Sequence, residues 1–215
     1  MRSDSLPDDV VRLVREVAGP DATHHGIVTL GIGGRSGAGK STLAADVVDR
    51  LADEATVPEW AGAPERAGVS EGADRPGPVL AIALEDYYCG WAGLVEGVLT
   101  VQPVLAALRE GRAGSARTWD WHAGAAGEVR TTVPPRAQAP GRPGVVVVEG
   151  CGAHLLRAEL DLLLWVDEPE DVRQRRAEER DGDVSSWWDG WAAQEDAAHA
   201  IVDPFAVADL VVSPG

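Results

Sequence analysis

The chain has 215 residues, 45% of them hydrophobic, and a formal net charge of −16. That is enough apolar material for the core of one α/β domain, and too acidic a balance for nucleic acid or an anionic membrane as partner. No apolar run reaches the length of a membrane span, and the opening Met1-Arg2-Ser3-Asp4 lacks a signal-peptide core, so a cytoplasmic protein is expected. Two cysteines, Cys89 and Cys151, are too few for a disulfide framework and lack zinc-site spacing, so they read as packing thiols.

In chain order, residues 1–20 predict an amphipathic helix capped at Ser5, with Val10, Val11, Leu13, Val14 and Val17 on its apolar side, packed outside the main sheet. The run 27–32 predicts the first strand. It leads through Gly34-Arg35-Ser36-Gly37-Ala38-Gly39-Lys40-Ser41-Thr42 into a helical pattern carrying Leu43, Val47, Val48 and Leu51. Residues 56–78 are rich in Pro, Gly, Ala and Glu without apolar periodicity and read as a mobile surface insertion. Further strands are expected at 79–84, 145–148, 162–166 and 210–212, and helices at 98–108, 169–180 and about 185–201. Within 111–143 lies a hairpin-like excursion of 117–121 with 128–133. Near-continuous apolar strands alternating with helices indicate a single three-layer αβα sandwich around a mainly five-stranded parallel sheet, whose ligands bind beyond the carboxyl ends of the strands.

The segment from Gly34 to Thr42 matches the phosphate-binding pattern GxxxxGK followed by Ser or Thr, in the strand, loop, helix context that the pattern requires. Its glycines let the backbone wrap closely so that successive N–H groups meet phosphate oxygens at a helix N-terminus. Lys40, the one lysine in the chain, is placed to reach the β and γ phosphates, and the Ser41 hydroxyl to coordinate Mg²⁺. A Mg²⁺-nucleotide is the expected ligand. Acids end three strands: Glu85 with Asp86, Glu149, and Asp167. Phosphoryl transfer to a hydroxyl needs one carboxylate for the acceptor proton and another for Mg²⁺, which suits one of Glu85 and Asp86 for the first role and Glu149 for the second.

Arg173, Arg176 and Arg180 recur on one face of a helix in 169–184, where guanidinium groups could close as a lid over the nucleotide. Trp91, Trp119 and Trp121 are candidates to line an acceptor pocket, with Tyr88, Asp120 and His122 beside them, whereas Trp187, Trp188 and Trp191 are expected to pack their helix on the sheet.

Together these motifs resemble the uridine kinase and phosphoribulokinase group of P-loop kinases: the phosphate loop, Glu85-Asp86-Tyr87-Tyr88, Glu149-Gly150, and the arginine-rich helix ending Arg180-Asp181. The resemblance spans about residues 27–212. It implies the P-loop nucleoside triphosphate hydrolase fold and transfer of a phosphoryl group from ATP to a hydroxyl of a small molecule such as a nucleoside, with Ser41 and Glu149 near Mg²⁺ and the arginine-rich helix as lid. The place of the family's catalytic aspartate holds Glu85, so either Glu85 acts or Asp86 replaces it. Trp119-Asp120-Trp121 is similar to the family's Tyr-Asp-Phe; the histidine beyond it would fall at Gly124, with His122 the nearby substitute. The family's Asp-His-Pro segment is missing near 99–103.

Two other classes fit a phosphate loop: a nucleotide switch acting on a partner, and a pseudokinase that binds ATP with little turnover. The chain has no asparagine, hence no Asn-Lys-x-Asp guanine-reading motif. The acceptor's identity, and monomer versus homo-oligomer, stay open at this stage.

Overall fold

In a computed structural model of the protein, residues 5–18, 25–56, 79–136 and 143–213 are described. The insertion expected at 56–78 lies outside them except for Thr56, as does the Gly19-Pro20 helix stop. Five strands, β1 (Ile27–Gly34), β2 (Val79–Ala83), β5 (Gly144–Glu149), β6 (Leu162–Val166) and β7 (Leu210–Val212), form one sheet in the order β2-β5-β1-β6-β7. Every pairing in it is parallel. β1 is central and all eight of its residues are buried, which is why the sequence shows an unbroken apolar run there in place of alternation.

Alternate residues face opposite layers. Leu30, Ile32, Val147 and Leu164 pack against α1 (Leu6–Val17) and α2 (Lys40–Thr56). Val146, Val148 and Leu163 pack against α3 (Leu94–Arg109), the 3-10 segment Ala153–Glu159 and α5 (Trp188–Ile201). The chain thus has the expected three layers, helices on both faces of a five-stranded parallel sheet. α1 lies beside α2 with Leu6, Val10, Val11 and Val14 buried. Ser5 itself has helical angles and makes no side-chain cap hydrogen bond; Pro7 in the first turn, with Asp8 and Asp9, starts the helix instead.

Among the boundaries that differ from the sequence expectation, those of one helix and of the hairpin bear most on the site. α3 begins at Leu94, four residues before the expected start, because the Gly97 amide already donates to Gly93. The hairpin is longer than expected, β3 (Gly114–Asp120) with β4 (Ala125–Thr132), and forms a separate antiparallel sheet that packs on α3. After β6 come α4 (Glu170–Asp181), α5 and the short α6 (Pro204–Val207) before β7. No helix among the described residues is long and apolar enough to cross a membrane.

Under α5 and α6, His154 is fully buried, its ring at right angles to Trp165 and next to His199. Among the described residues neither of its ring nitrogens has a hydrogen-bond partner of good geometry, and burial lowers its pKa to about 4 against the pull of the Ala198 backbone. The unfolded chain therefore takes up a proton near the ordinary histidine value while the folded one does not, so stability falls as pH drops from about 6.5 toward about 4. His154→Leu should flatten that limb, and thermal midpoints at pH 7 and pH 5 should lie closer together than in the wild type. An unchanged gap would show that His154 does not carry the acid sensitivity.

Candidate active site

β1 ends in the phosphate loop. Gly34, Gly37 and Gly39 all have positive φ, at 153°, 77° and 94°. At Gly37 no side chain fits: a Cβ there would lie 2.1 Å from the Arg173 carbonyl oxygen, so the first turn of α4 presses directly on the loop. Inside the loop the Lys40 Nζ donates to the Arg35 carbonyl at 2.9 Å. Arg173 is buried and donates to the Ser36 carbonyl at 3.2 Å and to the Glu168 carbonyl at 3.1 Å. Arg176 approaches the Ala38 carbonyl at 3.5 Å and the Glu168 carboxylate at 3.6 Å.

These contacts set the peptide planes. Across a trans peptide the carbonyl and the next N–H point opposite ways, so fixing the Ser36 and Ala38 carbonyls toward α4 turns the Gly37 and Gly39 amides away from it. Among the described residues those two amides meet no protein acceptor. The plane before them is reversed: the Arg35 carbonyl faces Lys40, and the Ser36 amide donates to the Glu195 carboxylate at 2.6 Å.

The strand register builds the next part of the site. Glu149, last in β5, is level with Ile32 of β1 on one side and Ala83 of β2 on the other. It therefore stands where β1 launches the loop and β2 launches the 3-10 turn Leu84–Asp86. The Ser41 hydroxyl donates to its Oε2 at 3.1 Å. Burial raises the Glu149 pKa, against the pull of Lys40 and Ser41 and with the nearby Glu85 and Asp86 charges adding to the rise. A carboxylate kept partly buried beside a helix-start hydroxyl is short of positive charge, which fits a divalent cation. No group of three or more His, Cys, Asp or Glu that could hold a metal is found among the described residues. The donor set thus suits Mg²⁺ shared among Ser41, Glu149, water and nucleotide phosphates.

A cavity of about 680 Å³ opens from the loop. Glu85 and Arg180 line it; Asp86, Arg173 and Arg176 do not. Asp86 is paired with Arg130 of β4, which also lies 5.9 Å from the Tyr87 ring centre. The two adjacent acids that the sequence left as alternatives are thereby separated. Of the three arginines expected as a lid, Arg173 and Arg176 brace the loop and only Arg180 reaches the cavity, held by Asp181 through two hydrogen bonds of 2.7 and 2.6 Å.

The far end of the cavity is aromatic. Trp91 contacts Trp121 at 5.3 Å, Trp187 at 5.4 Å and Trp191 at 6.0 Å between ring centres, and Tyr88 packs on Trp191 at 5.1 Å. The Tyr88 hydroxyl donates to the Cys151 carbonyl at 2.9 Å, and the Trp121 indole N–H to the Glu85 carbonyl at 3.0 Å. Trp187 and Trp191 therefore line the site as well as packing on the sheet-facing core as the sequence predicts. Trp188 packs with Ala177 and Val184 under the Arg173 guanidinium, bracing α4 against α5.

Three expected acceptor residues lie elsewhere. Trp119, Asp120 and His122 border a shallow groove on the hairpin and are absent from the cavity lining. Trp119 backs the turn at Gly90, where a Cβ would sit 3.3 Å from its ring. Asp120 accepts from the Ala123 and His122 amides, both at 2.9 Å, bonds that hold its carboxyl below the usual range. Both thiols are free, and burial pushes Cys151 up to about 12, so it stays protonated.

Sequence reasoning missed Glu195 and Arg35. Glu195 is 3% exposed, accepts the Ser36 amide and pairs with Arg35, which also reaches Asp196 and His199. The available signal was the spacing of Trp191, Glu195 and His199, four residues apart on one helix face.

No protein-family model matches the chain, and no curated protein matches it in sequence. Solved structures do. A candidate uridine kinase from Bacillus stearothermophilus superposes with a TM-score of 0.55 at 18% identity, covering 95% of this chain and 97% of that one. A candidate fructose transport system kinase from Silicibacter sp. gives 0.54 at 16% identity, covering 99% of each chain. The fold is that of the P-loop kinases.

Two outcomes test the loop geometry. Because Glu149 has a raised pKa, the folded protein holds its proton more tightly than the unfolded chain, and stability is lost as pH rises above the ordinary carboxylate value. Glu149→Gln should raise the nucleotide-free thermal midpoint at pH 7 by about 2–4 °C, a gain that shrinks toward pH 4, while weakening Mg²⁺-dependent nucleotide binding. A gain that grows toward acid contradicts the assignment. Glu195→Ala should weaken Mg²⁺-ADP binding about tenfold by calorimetry, whereas Glu195→Gln, which keeps an acceptor for the Ser36 amide, should retain most of it; equal losses would argue against the amide contact.

Proposed function

We propose that the protein is an ATP-dependent phosphotransferase that moves the γ-phosphoryl group of Mg²⁺-ATP to a hydroxyl of a small molecule. The observation that carries the reading is a single cavity with the phosphate loop, Lys40 and the Ser41–Glu149 pair at one end, and Glu85 beside an aromatic chamber at the other. A switch that hydrolyses nucleotide has no use for such a chamber.

In this reading Lys40 and the Gly37 and Gly39 amides hold the phosphates. Ser41 and Glu149 hold Mg²⁺, which supplies charge neutralisation on the β and γ phosphates when bound. Glu85 orients the acceptor hydroxyl and takes its proton. The acceptor oxygen bonds to the γ phosphorus while the bond from that phosphorus to its bridging oxygen breaks, the electron pair leaving on ADP. Arg180 stands at the cavity wall, where charge on the transferring group would be met. The solved neighbours are described as candidate kinases for uridine and for a fructose transport system, so nucleosides and sugars both belong among the acceptors to be assayed.

Lys40→Ala should lower acceptor-dependent ADP formation from Mg²⁺-ATP by at least about a hundredfold. Wild-type turnover in that variant would refute the assignment of the phosphate site, and a slow rate indifferent to every acceptor would favour the switch or pseudokinase.

A further inference from the structure

We infer that the phosphoryl acceptor is a small alcohol carrying a positively charged nitrogen, such as an amino alcohol or amino sugar, bound at the aromatic wall of the cavity with its hydroxyl toward Glu85; this rests on the kinase reading and deepens it.

The charge inventory of the cavity points that way. Lys40 and Arg180 are its cations, and both are engaged, Lys40 inside the phosphate loop and Arg180 with Asp181. Neither is left to hold a phosphate or carboxylate on the acceptor. Glu85, by contrast, has no salt-bridge partner among the described residues. An anionic acceptor would enter a site that already holds nucleotide phosphates, beside Glu85, with both cations of the described lining already engaged.

Neutral acceptors fit poorly for a different reason. The hydroxyl side chains of the lining are Ser36 and Ser41, which belong to the loop, and Tyr88, whose hydroxyl is spent on the Cys151 carbonyl. Among the described residues no Asn, Gln or Thr lines the cavity. A nucleobase edge or a sugar ring there would meet carboxylates and indole N–H groups but no free hydroxyl or side-chain amide of the described lining.

What the chamber does offer is ring surface. Trp91 is 56% exposed and Trp121 38% exposed at the mouth, an unusual placement for indoles in an acidic protein. The rings are mutually inclined: Trp91 is stacked on Trp187 at 26° and stands nearly edge-on to Trp121 and Trp191, at 65° and 89°. A wall of crossed indoles presents negative ring faces to a compact cation, and a carboxylate close by completes the match. The net charge of −16 draws such a cation toward the molecule.

The test is binding by calorimetry to the Mg²⁺-ADP-loaded protein at pH 7, beside ADP release from Mg²⁺-ATP. The probes are choline against its neutral isostere 3,3-dimethylbutanol, glucosamine against glucose, then uridine and glucose 6-phosphate. Choline or glucosamine should bind at least about tenfold more tightly than its neutral counterpart, and Trp91→Leu should erase most of that preference while Trp91→Phe, which keeps an aromatic face, retains part of it. Equal or tighter binding of the neutral compounds, uridine or the phosphate ester overturns the inference. So does an absence of binding by every probe at millimolar concentration. If the cationic probes bind with the expected preference but no ADP forms, the inferred ligand class stands and the kinase reading fails.

Discussion

The structure depends on the orientation of three peptide planes in the phosphate loop. Glycines alone give a loop freedom, not direction; here direction comes from charged side chains on two later helices. Arg173 and Arg176 hold the Ser36 and Ala38 carbonyls to α4, and Glu195 holds the Ser36 amide to α5. The Gly37 and Gly39 amides are then turned the other way before any ligand arrives, which lowers the reorganisation a bound phosphate would have to drive. Charge-assisted bonds of this kind are among the stronger ones in a protein, and these are largely removed from water.

A second constraint is the register of β5 between β1 and β2. Glu149 stands one strand away from both the loop and the turn carrying Glu85 because β5 lies between two parallel strands, β2 ending level with it and β1 two residues further on. That convergence buries Glu149, and burial raises its pKa, with the nearby Glu85 and Asp86 charges adding to the rise. A carboxylate held against its own preference in the empty protein gains most when a cation arrives, so the tension at this strand end favours ligand binding over apo-protein stability.

The parts legible in the sequence were those written in local pattern. Five strands read as apolar runs, and the positions of the loop and of Glu149 followed from a motif at the end of one strand and the acid at the end of another. The choice between Glu85 and Asp86 was not legible, because it turns on Arg130, which reaches Asp86 from a separate hairpin. The arginines were read from spacing alone: 173, 176 and 180 share a face, but the first two meet loop carbonyls at the start of the helix while its last turn reaches the cavity. Trp187 and Trp191 were read as packing residues because aromatic rings on a helix usually are; only the tertiary placement of α5 brings them to Trp91. Glu195 was missed for the same reason, since nothing within α5 itself marks a carboxylate that will be buried against a loop far away in sequence.

α4 and α5 serve both ends of the cavity. α4 carries Arg173 and Arg176 to the loop and Arg180 to the chamber. α5 carries Trp191 to the chamber and Glu195 to the loop, one turn apart. Trp188 packs against Ala177 and under Arg173, tying the two helices together. A side chain displaced at the aromatic wall therefore acts on a helix whose next turn fixes the Ser36 amide. Short, rigid helices transmit such a displacement because a packed interface resists deforming along its length. The aromatic chamber and the phosphate loop are built on the same two helices, so the elements that set the loop's shape also shape the chamber.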